Sequence, residues 1–220
     1  MQDLLIVLLV AALGGSVVSF MVMARRQRRR SRAMAAQARQ LNMRFSRDDP
    51  FDLPGLYGRF ALIASGHSPR AHNVTYGRVN GRSVRAFDFR YECGHGISRL
   101  ARHYSVVVVE MDRPLTAALM WHEQDVPAAP LALQRHHWRQ ESWLCRGDRT
   151  MAKALGAVVG DTLAPMSIET QGGAVLVWQA VQGRPKAYAR QFIDLARVSD
   201  LAIRAVCDLS AAGQGEDSVT

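Results

Sequence analysis

The sequence predicts an α+β protein with an N-terminal transmembrane helix and stalk. An antiparallel sheet with two hairpins and packed helices, including a C-terminal helix, follows. Three observations predict this plan. Residues 4–23 carry no charge, strand patterns dominate residues 73–121, and helical patterns with capping residues return after residue 148. At 220 residues and 48% hydrophobic residues, the chain has room for one domain with a short appendage.

The first element is an apolar segment, which predicts a transmembrane anchor over residues 1–23. Residues 4–23 read LLIVLLVAALGGSVVSFMVM. A helix of this length covers about 30 Å, the thickness of the hydrocarbon core of a bilayer. A cleavable signal peptide would begin with basic residues and have a shorter apolar stretch, whereas this chain begins Met1-Gln2-Asp3. We therefore expect the anchor to stay uncleaved.

The arginines that follow predict the orientation of this anchor. Eight arginines and no acidic residue lie between residues 24 and 44. Basic residues beside a membrane segment stay cytoplasmic, so the N-terminus is expected outside and the rest of the chain in the cytoplasm. Contact with anionic lipid headgroups is expected at six of these arginines: Arg25, Arg26, Arg28, Arg29, Arg30 and Arg32.

The charge of the remaining chain argues against a nucleic-acid partner. The whole chain has 28 Lys and Arg against 19 Asp and Glu. Subtracting the eight arginines and one aspartate before residue 45 leaves 20 basic against 18 acidic residues, a net charge of +2. A domain that binds DNA or RNA usually carries a basic stripe of its own.

Small residues in the apolar segment suggest a homodimer. Ala11, Gly15 and Ser19 stand four residues apart, on one face of the predicted helix. Such a face lets two membrane helices approach closely, although small residues are also common in membrane helices that do not pair. Dimerisation through this face is therefore a hypothesis.

An arginine-rich juxtamembrane stalk helix is predicted over residues 24–48. No Pro or Gly interrupts residues 17–48, so the membrane helix can continue into the stalk. Met34, Ala38 and Leu41 share one face of it, and Asp49-Pro50 ends it. The cytoplasmic domain then occupies residues 49–209.

The domain opens with a predicted hairpin. Strands at residues 74–79 and 83–91 flank Asn80-Gly81, the strongest short hairpin signal. Phe87, Phe89 and Tyr91 alternate with Ala86, Asp88 and Arg90 in the second strand. This alternation predicts a buried aromatic face and a solvated polar face.

The next strands are predicted from branched residues and turn signals. Four valines at residues 106–109 indicate a strand, Arg113-Pro114 indicates a turn, and residues 116–121 indicate another strand. A loop over residues 122–130 and a strand over residues 138–145 follow.

The C-terminal third returns to helix. Asp148 is expected to cap a helix over residues 149–159. Gln171-Gly172-Gly173 predicts a second hairpin, between strands at residues 168–170 and 174–181. A final helix is predicted over residues 185–209, and residues 210–220 form a predicted disordered tail.

Several of these motifs together resemble a known family. They are the Asp49-Pro50-Phe51 start of the domain, Asn73, Gly77, the aromatic strand at residues 87–91, the valine strand, and residues 174–209. The chain resembles a bacterial family of single-pass proteins that are anchored at the N-terminus and carry a cytoplasmic α+β domain of unknown function. The resemblance implies a location in the bacterial plasma (inner) membrane. It implies no activity and no catalytic residues.

The strongest catalytic candidate is the loop Cys93-Gly94-His95-Gly96, where a thiol and an imidazole could act as nucleophile and base. No acid that would orient the imidazole can be assigned, and a flexible hairpin loop is the simpler interpretation.

The sequence favours neither a metal site nor a catalytic pair of carboxylates. Zinc ligands usually come in pairs at short regular spacing, which these residues lack: Cys93, His95, His103, His136, His137 and Cys145. We therefore expect no metal and no cofactor. Solvated cross-strand pairs, with Arg90 and Arg102 as partners, are the expected role of four acidic residues: Asp88, Glu92, Glu110 and Asp112. Trp121, Trp138 and Trp143 are expected mostly in the core.

The sequence as a whole favours a membrane-tethered cytoplasmic interaction or adaptor module with an unidentified protein partner. Tethering would raise the local concentration of the domain near its target. The alternative is a membrane-anchored enzyme with a cryptic site near residues 93–96.

Overall fold

The computed structural model describes residues 2–94, 96–129, 133, 137–160, 165–181 and 195–214. These residues form an α+β fold built on a seven-stranded antiparallel sheet. The helices are α1 (Gln2–Gln40), α2 (Leu53–Leu56), α3 (Arg149–Gly160) and α4 (Leu195–Gln214). The strands are β1 (Arg44–Ser46), β2 (His67–Val79), β3 (Arg82–Cys93), β4 (Leu100–His122), β5 (Trp138–Gln140), β6 (Trp143–Gly147) and β7 (Ser167–Ala180).

The N-terminal helix α1 is a single helix of 39 residues. Its side chains are exposed from residue 12 to residue 29, and its last turns pack on the sheet through Met34 and Ala38. Described side chains in α1 are those of Leu9 and of residues 12–40. Among the residues described in this way, no helix is long and apolar enough to span a membrane.

The first hairpin has the predicted turn. Val79 pairs with Arg82, and Asn80 and Gly81 both have positive φ, at 50° and 80°. Two such residues form the tight turn that matches the twist of antiparallel strands. The stalk helix predicted to reach residue 48 is too long: α1 ends at Gln40, and the short strand β1 extends this sheet edge by pairing with β2.

Two of the predicted turns are wrong, because β4 and β7 are long continuous strands. Arg113-Pro114 lies within the 23 residues of β4, and Gly172 lies within the 14 residues of β7. The two strands pair on both sides of this point, and the register shifts around the pair Leu115–Gly172. Proline is tolerated there because the ladder of hydrogen bonds is interrupted, and Gly172 takes the positive φ of 59°. The signals mark a shared bend rather than a turn and a hairpin.

The two edges of β4 organise the sheet. β7 runs along one edge, whereas β3 pairs with the first half of the other edge and β6 with its second half. β5 pairs with β6 around Glu141, which has a φ of 50°. The single strand predicted over residues 138–145 is therefore a second, short hairpin.

The helices cover one face of the sheet, and the opposite face is also buried. On the first face, the end of α1 with α3 and α4 packs against Val84, Val107 and Met120. On the second face, Phe87, Phe89 and Tyr91 pack against residues of the 53–63 segment. The aromatic face of β3 is thus buried as predicted. On its other face Val84, Ala86 and Asp88 are buried too, because helices cover them, whereas Arg90 stays partly exposed.

The C-terminal predictions have mixed outcomes. Asp148 caps α3, accepting the backbone N–H of Met151 at 2.7 Å, as predicted. The final helix is present from Leu195 to Gln214, so the first residues of the predicted disordered tail are helical. The predicted start of that helix, residues 185–194, and residues 215–220 lie outside the described residues. Trp121 and Trp143 are buried, whereas Trp138 is half-buried at the edge beneath Arg149.

Candidate functional site

A buried ion pair joins α1 to the sheet. The guanidinium of Arg30 donates from Nε to Oδ2 of Asp88 at 2.8 Å and from Nη2 to Oδ1 at 2.6 Å. Both side chains are buried, with 9% and 6% of their surfaces exposed. This pair corrects the prediction that Asp88 forms a solvated pair with Arg90 or Arg102. Arg90 instead pairs with Glu92, at 3.0 Å.

Uncharged side chains complete the junction. Asn73 donates from Nδ2 to Oδ2 of Asp88 at 2.8 Å, and the buried hydroxyl of Ser31 donates to Oδ1 of Asn73 at 2.6 Å. Ser105 also contacts both Arg30 and Asp88. Each oxygen of the buried carboxylate therefore has at least one donor, which lowers the cost of burying its charge.

The strand register explains why these residues meet. His72 on β2 lies opposite Asp88 on β3, which lies opposite Ser105 on β4. Because strand side chains alternate, all three point away from the aromatic face and toward α1. On α1, Gln27, Arg30, Ser31, Met34 and Ala38 follow helical spacing along the side that meets the sheet.

Beside the ion pair lies a pocket of about 270 Å³ between α1 and strands β2–β4. We call it the junction pocket. Its polar lining residues are Arg26, Gln27, Arg30, His72, Asp88 and His103. The sequence predicts a role for His103 only as a candidate metal ligand, and it predicts neither His72 nor the role of Arg30. No short motif marks these residues, since they come from four separate elements.

The surrounding protein lowers the pKa of both histidines, of which His72 is half-buried and His103 is exposed on one side. It lowers the pKa of His72; nearby Arg30 and Arg90 lower it further, whereas Asp88 raises it. Burial also lowers the pKa of His103, and Arg90 acts in the same direction. Both imidazoles are therefore neutral at pH 7, and each can donate or accept a hydrogen bond. The pocket thus offers neutral imidazoles and a guanidinium, Arg26, for which the described residues provide no acidic partner.

The arginines predicted to contact headgroups fall into two groups. The exposed ones are Arg25, Arg26, Arg28, Arg29 and Arg32. Arg30 is occupied by Asp88 instead. Among the small residues predicted as a dimer face, Gly15 and Ser19 are exposed, and a Cβ at Gly15 would meet no atom within 4 Å. The side chain of Ala11 lies outside the described residues.

Two residues of the loop at 93–96, Cys93 and Gly94, contact atoms outside the loop. Cys93 is half-buried, with Sγ 3.5 Å from the carbonyl oxygen of Leu100. The ring nitrogen Nε2 of His67 lies 2.9 Å from the carbonyl oxygen of Gly94. His95 lies outside the described residues, so the nucleophile–base hypothesis stays a prediction.

The remaining metal candidates are dispersed. His103 lines the junction pocket, Cys145 is buried in the core, and His137 is exposed. His136 lies outside the described residues. Within the described part of the chain, no group of three or more His, Cys, Asp or Glu side chains could hold a metal ion.

A second cavity, of about 510 Å³, lies beside Glu169 on β7 and is also lined by Arg59 and Arg146. Glu169 is 7% exposed and accepts the backbone N–H of Ala61 at 2.7 Å. Burial raises the pKa of its carboxyl to about 8. Glu169 therefore keeps its proton at pH 7, and its hydrogen bond with Ala61 holds the 53–63 segment on the sheet.

Glu110 has a similar structural role near the same segment. Its carboxylate accepts the hydroxyl of Tyr57 at 2.9 Å and pairs with Arg85. Glu110 therefore pairs across strands as expected, but its partner is Arg85 rather than Arg90 or Arg102.

No family model matches the chain, and no curated protein matches it significantly. Among solved structures, it is similar to the crystal structure of the mycobacterial trehalose monomycolate transport factor A, TtfA. The two share 11% identity with a TM-score of 0.48, over 78% of this chain and 93% of that chain. This likeness is too weak to assign a fold or a role to the chain.

Proposed function

We propose that the chain is a single-span membrane protein whose α+β domain acts as an interaction module at the bacterial inner membrane. The N-terminus would lie outside and the domain in the cytoplasm. Residues 4–23 would cross the bilayer, and the exposed arginines that follow would contact anionic headgroups, each worth about 1 kcal/mol. The positive-inside rule supports this orientation.

The observation that carries the proposal is the change of surroundings along α1. Large apolar side chains at its start face no part of the domain: Leu9 is 62% exposed and Phe20 is 74% exposed. From Arg30 onward the same helix is docked on the sheet. Exposed apolar surface of this extent in a charge-free stretch is typical of contact with lipid.

An interaction module fits this arrangement because anchoring confines the domain to a thin layer beside the membrane. Confinement raises its effective concentration toward other molecules held there. The partner is expected to be a protein, and its identity is open. The alternative, an enzyme with its site near residues 93–96, stays a prediction.

Membrane insertion can be tested on the full chain. We expect wild-type protein to float with phospholipid vesicles in a density gradient after alkaline carbonate washing. The double variant Leu9→Arg/Leu13→Arg should be extracted, because each charge near the centre of a span costs about 3 kcal/mol. The matched control Leu56→Arg/Leu100→Arg changes exposed leucines of the domain and should still float. Flotation of the Leu9/Leu13 variant, or extraction of the wild type, would contradict the proposal.

Partner capture should use these same full-length variants. Truncation near residue 44 would remove Met34 and Ala38 from the domain's core and confound anchoring with stability. A protein cross-linked in cells to the wild type and the domain control, but lost from the Leu9→Arg/Leu13→Arg variant, would support a tethered module. Absence of any specific partner for the wild type would argue against it.

A further inference from the structure

We propose that the junction pocket binds a phosphate group, of the kind carried by an anionic phospholipid headgroup. The inference rests on the proposed membrane span, because the span is what brings a headgroup to the pocket. It goes beyond general attraction between arginines and lipid, since it assigns a site in which His72, His103 and Arg26 contact one ligand.

The position of the pocket on α1 is the first argument. Its wall includes Met23, the last residue of the uncharged segment, and Arg26 and Gln27 in the next turn. At 1.5 Å per residue, Arg26 lies about 5 Å beyond Met23 and Arg30 about 10 Å beyond it. The headgroup layer is about 5–8 Å thick on each side of the hydrocarbon core. If residues 4–23 span the bilayer, the pocket therefore begins at headgroup depth.

The charge of the lining is the second argument. Asp88 is neutralised by Arg30, and Arg90, which faces the histidines from β3, is paired with Glu92. Arg26 then leaves the pocket with a positive charge. Phosphate oxygens accept hydrogen bonds from guanidinium and imidazole N–H groups, and charge assistance makes those bonds strong. An anion is thus favoured over a cation.

The two histidines make binding depend on pH. Both face Arg30 and Arg90, which disfavour their protonation, and Asp88, which favours it. A phosphodiester keeps one negative charge between pH 6 and 8, and its arrival would favour the protonated imidazoles. Binding should therefore tighten as the pH falls from 8 to 6.

The test uses full-length protein in micelles of dodecyl maltoside, an uncharged detergent, at physiological salt. Calorimetric titrations with dihexanoyl phosphatidylglycerol, dihexanoyl phosphatidylcholine and inorganic phosphate compare the ligands. Arg26→Gln and His103→Gln change the pocket. Arg28→Gln and His137→Gln are matched controls, because both of these side chains are exposed and neither lines the pocket.

We expect the pocket variants to weaken phosphatidylglycerol binding about tenfold or more, the loss expected for one charge-assisted hydrogen bond. The controls should change it less than about twofold. Tighter binding of phosphatidylglycerol than of inorganic phosphate would identify a lipid headgroup as the ligand. Equal binding of both, still sensitive to Arg26→Gln, would assign the site to a free phosphate compound.

Equal losses in Arg26→Gln and Arg28→Gln would overturn the proposal, because they would indicate diffuse attraction to the whole arginine-rich segment. Absence of binding by the wild type would overturn it too. Neither result bears on the proposed span, which fails if the wild type is extracted from vesicles or if the Leu9→Arg/Leu13→Arg variant still floats with them. The two failures are therefore distinguishable.

Discussion

Removing the carboxylate of Asp88 should weaken the docking of α1 on the sheet. The two charge-assisted bonds from Arg30 measure 2.8 Å and 2.6 Å, and both side chains are almost fully buried. Deleting one member of such a pair costs about 3–5 kcal/mol, because the other charge stays buried without its partner. For Asp88→Ala we expect a loss of about 4 kcal/mol, since Asn73 also loses its acceptor.

The assay is hydrogen exchange of full-length protein in lipid nanodiscs, followed by mass spectrometry at residues 31–40. A loss of 3–5 kcal/mol corresponds to exchange that is about 150- to 4,000-fold faster. Arg30→Met should give a similar change. Arg39→Met is the matched control: Arg39 is exposed on the same helix, so a change below about 0.5 kcal/mol is expected.

The double variant Arg30→Met/Asp88→Ala decides the interpretation. If the two groups act as a pair, the double variant should be at least about 2 kcal/mol more stable than the sum of the single effects predicts. Additive effects would refute the reasoning. So would exchange in Asp88→Ala that is no faster than in Arg39→Met.

Three further outcomes are expected. Because burial raises the pKa of Glu169 from 4.5 to about 8, the folded protein retains a proton that the unfolded chain releases, and stability should fall as the pH rises from about 5 to 8. In urea denaturation, Glu169→Gln should flatten this decline and raise the free energy of unfolding at pH 8 by up to about 4 kcal/mol. An unchanged dependence of stability on pH would contradict this prediction. If the small-residue face pairs, Gly15→Leu should abolish cross-linked dimers. Gly14→Leu, which also meets open space in the monomer, should leave them intact. Equal loss of dimers in both variants would exclude that face. An impermeant maleimide should label the exposed Cys207 only after cells are permeabilised. Cys145, whose pKa burial raises to about 11, should stay unlabelled. Labelling of Cys207 in intact cells would indicate the opposite orientation.

Local signals predicted the elements whose geometry is decided locally. Asn80-Gly81 needs only its own backbone angles to make a hairpin, and Asp148 needs only the next three residues to cap α3. Arg113-Pro114 and Gly172 carry equally strong turn signals, yet both lie in continuous strands. Their conformation is decided by pairing between β4 and β7, across more than fifty residues of sequence, and no local pattern carries that information.

The candidate site was mostly hidden for the same reason. Asp88 alternates with aromatic residues along β3, and this alternation predicts that its face of the strand is solvated. A helix that begins 86 residues earlier covers that face instead. Arg30 is one arginine among many, and only the docking of α1 distinguishes it from Arg29. The sequence predicted that residues 34, 38 and 41 would share a packed face, but not which part of the sheet would receive them.

The continuity of α1 fixes an angle as well as a distance. One unbroken helix from Gln2 to Gln40 joins the apolar segment to the sheet, so the domain cannot turn about the helix axis independently of that segment. Inserting a single residue between residues 24 and 29 would rotate the domain by about 100° relative to the apolar segment and shift it by about 1.5 Å. Inserting seven residues would restore the facing direction to within about 20°, at a height about 10 Å greater. The length of this exposed helical stretch therefore sets both the direction that the domain faces and its distance from the apolar segment.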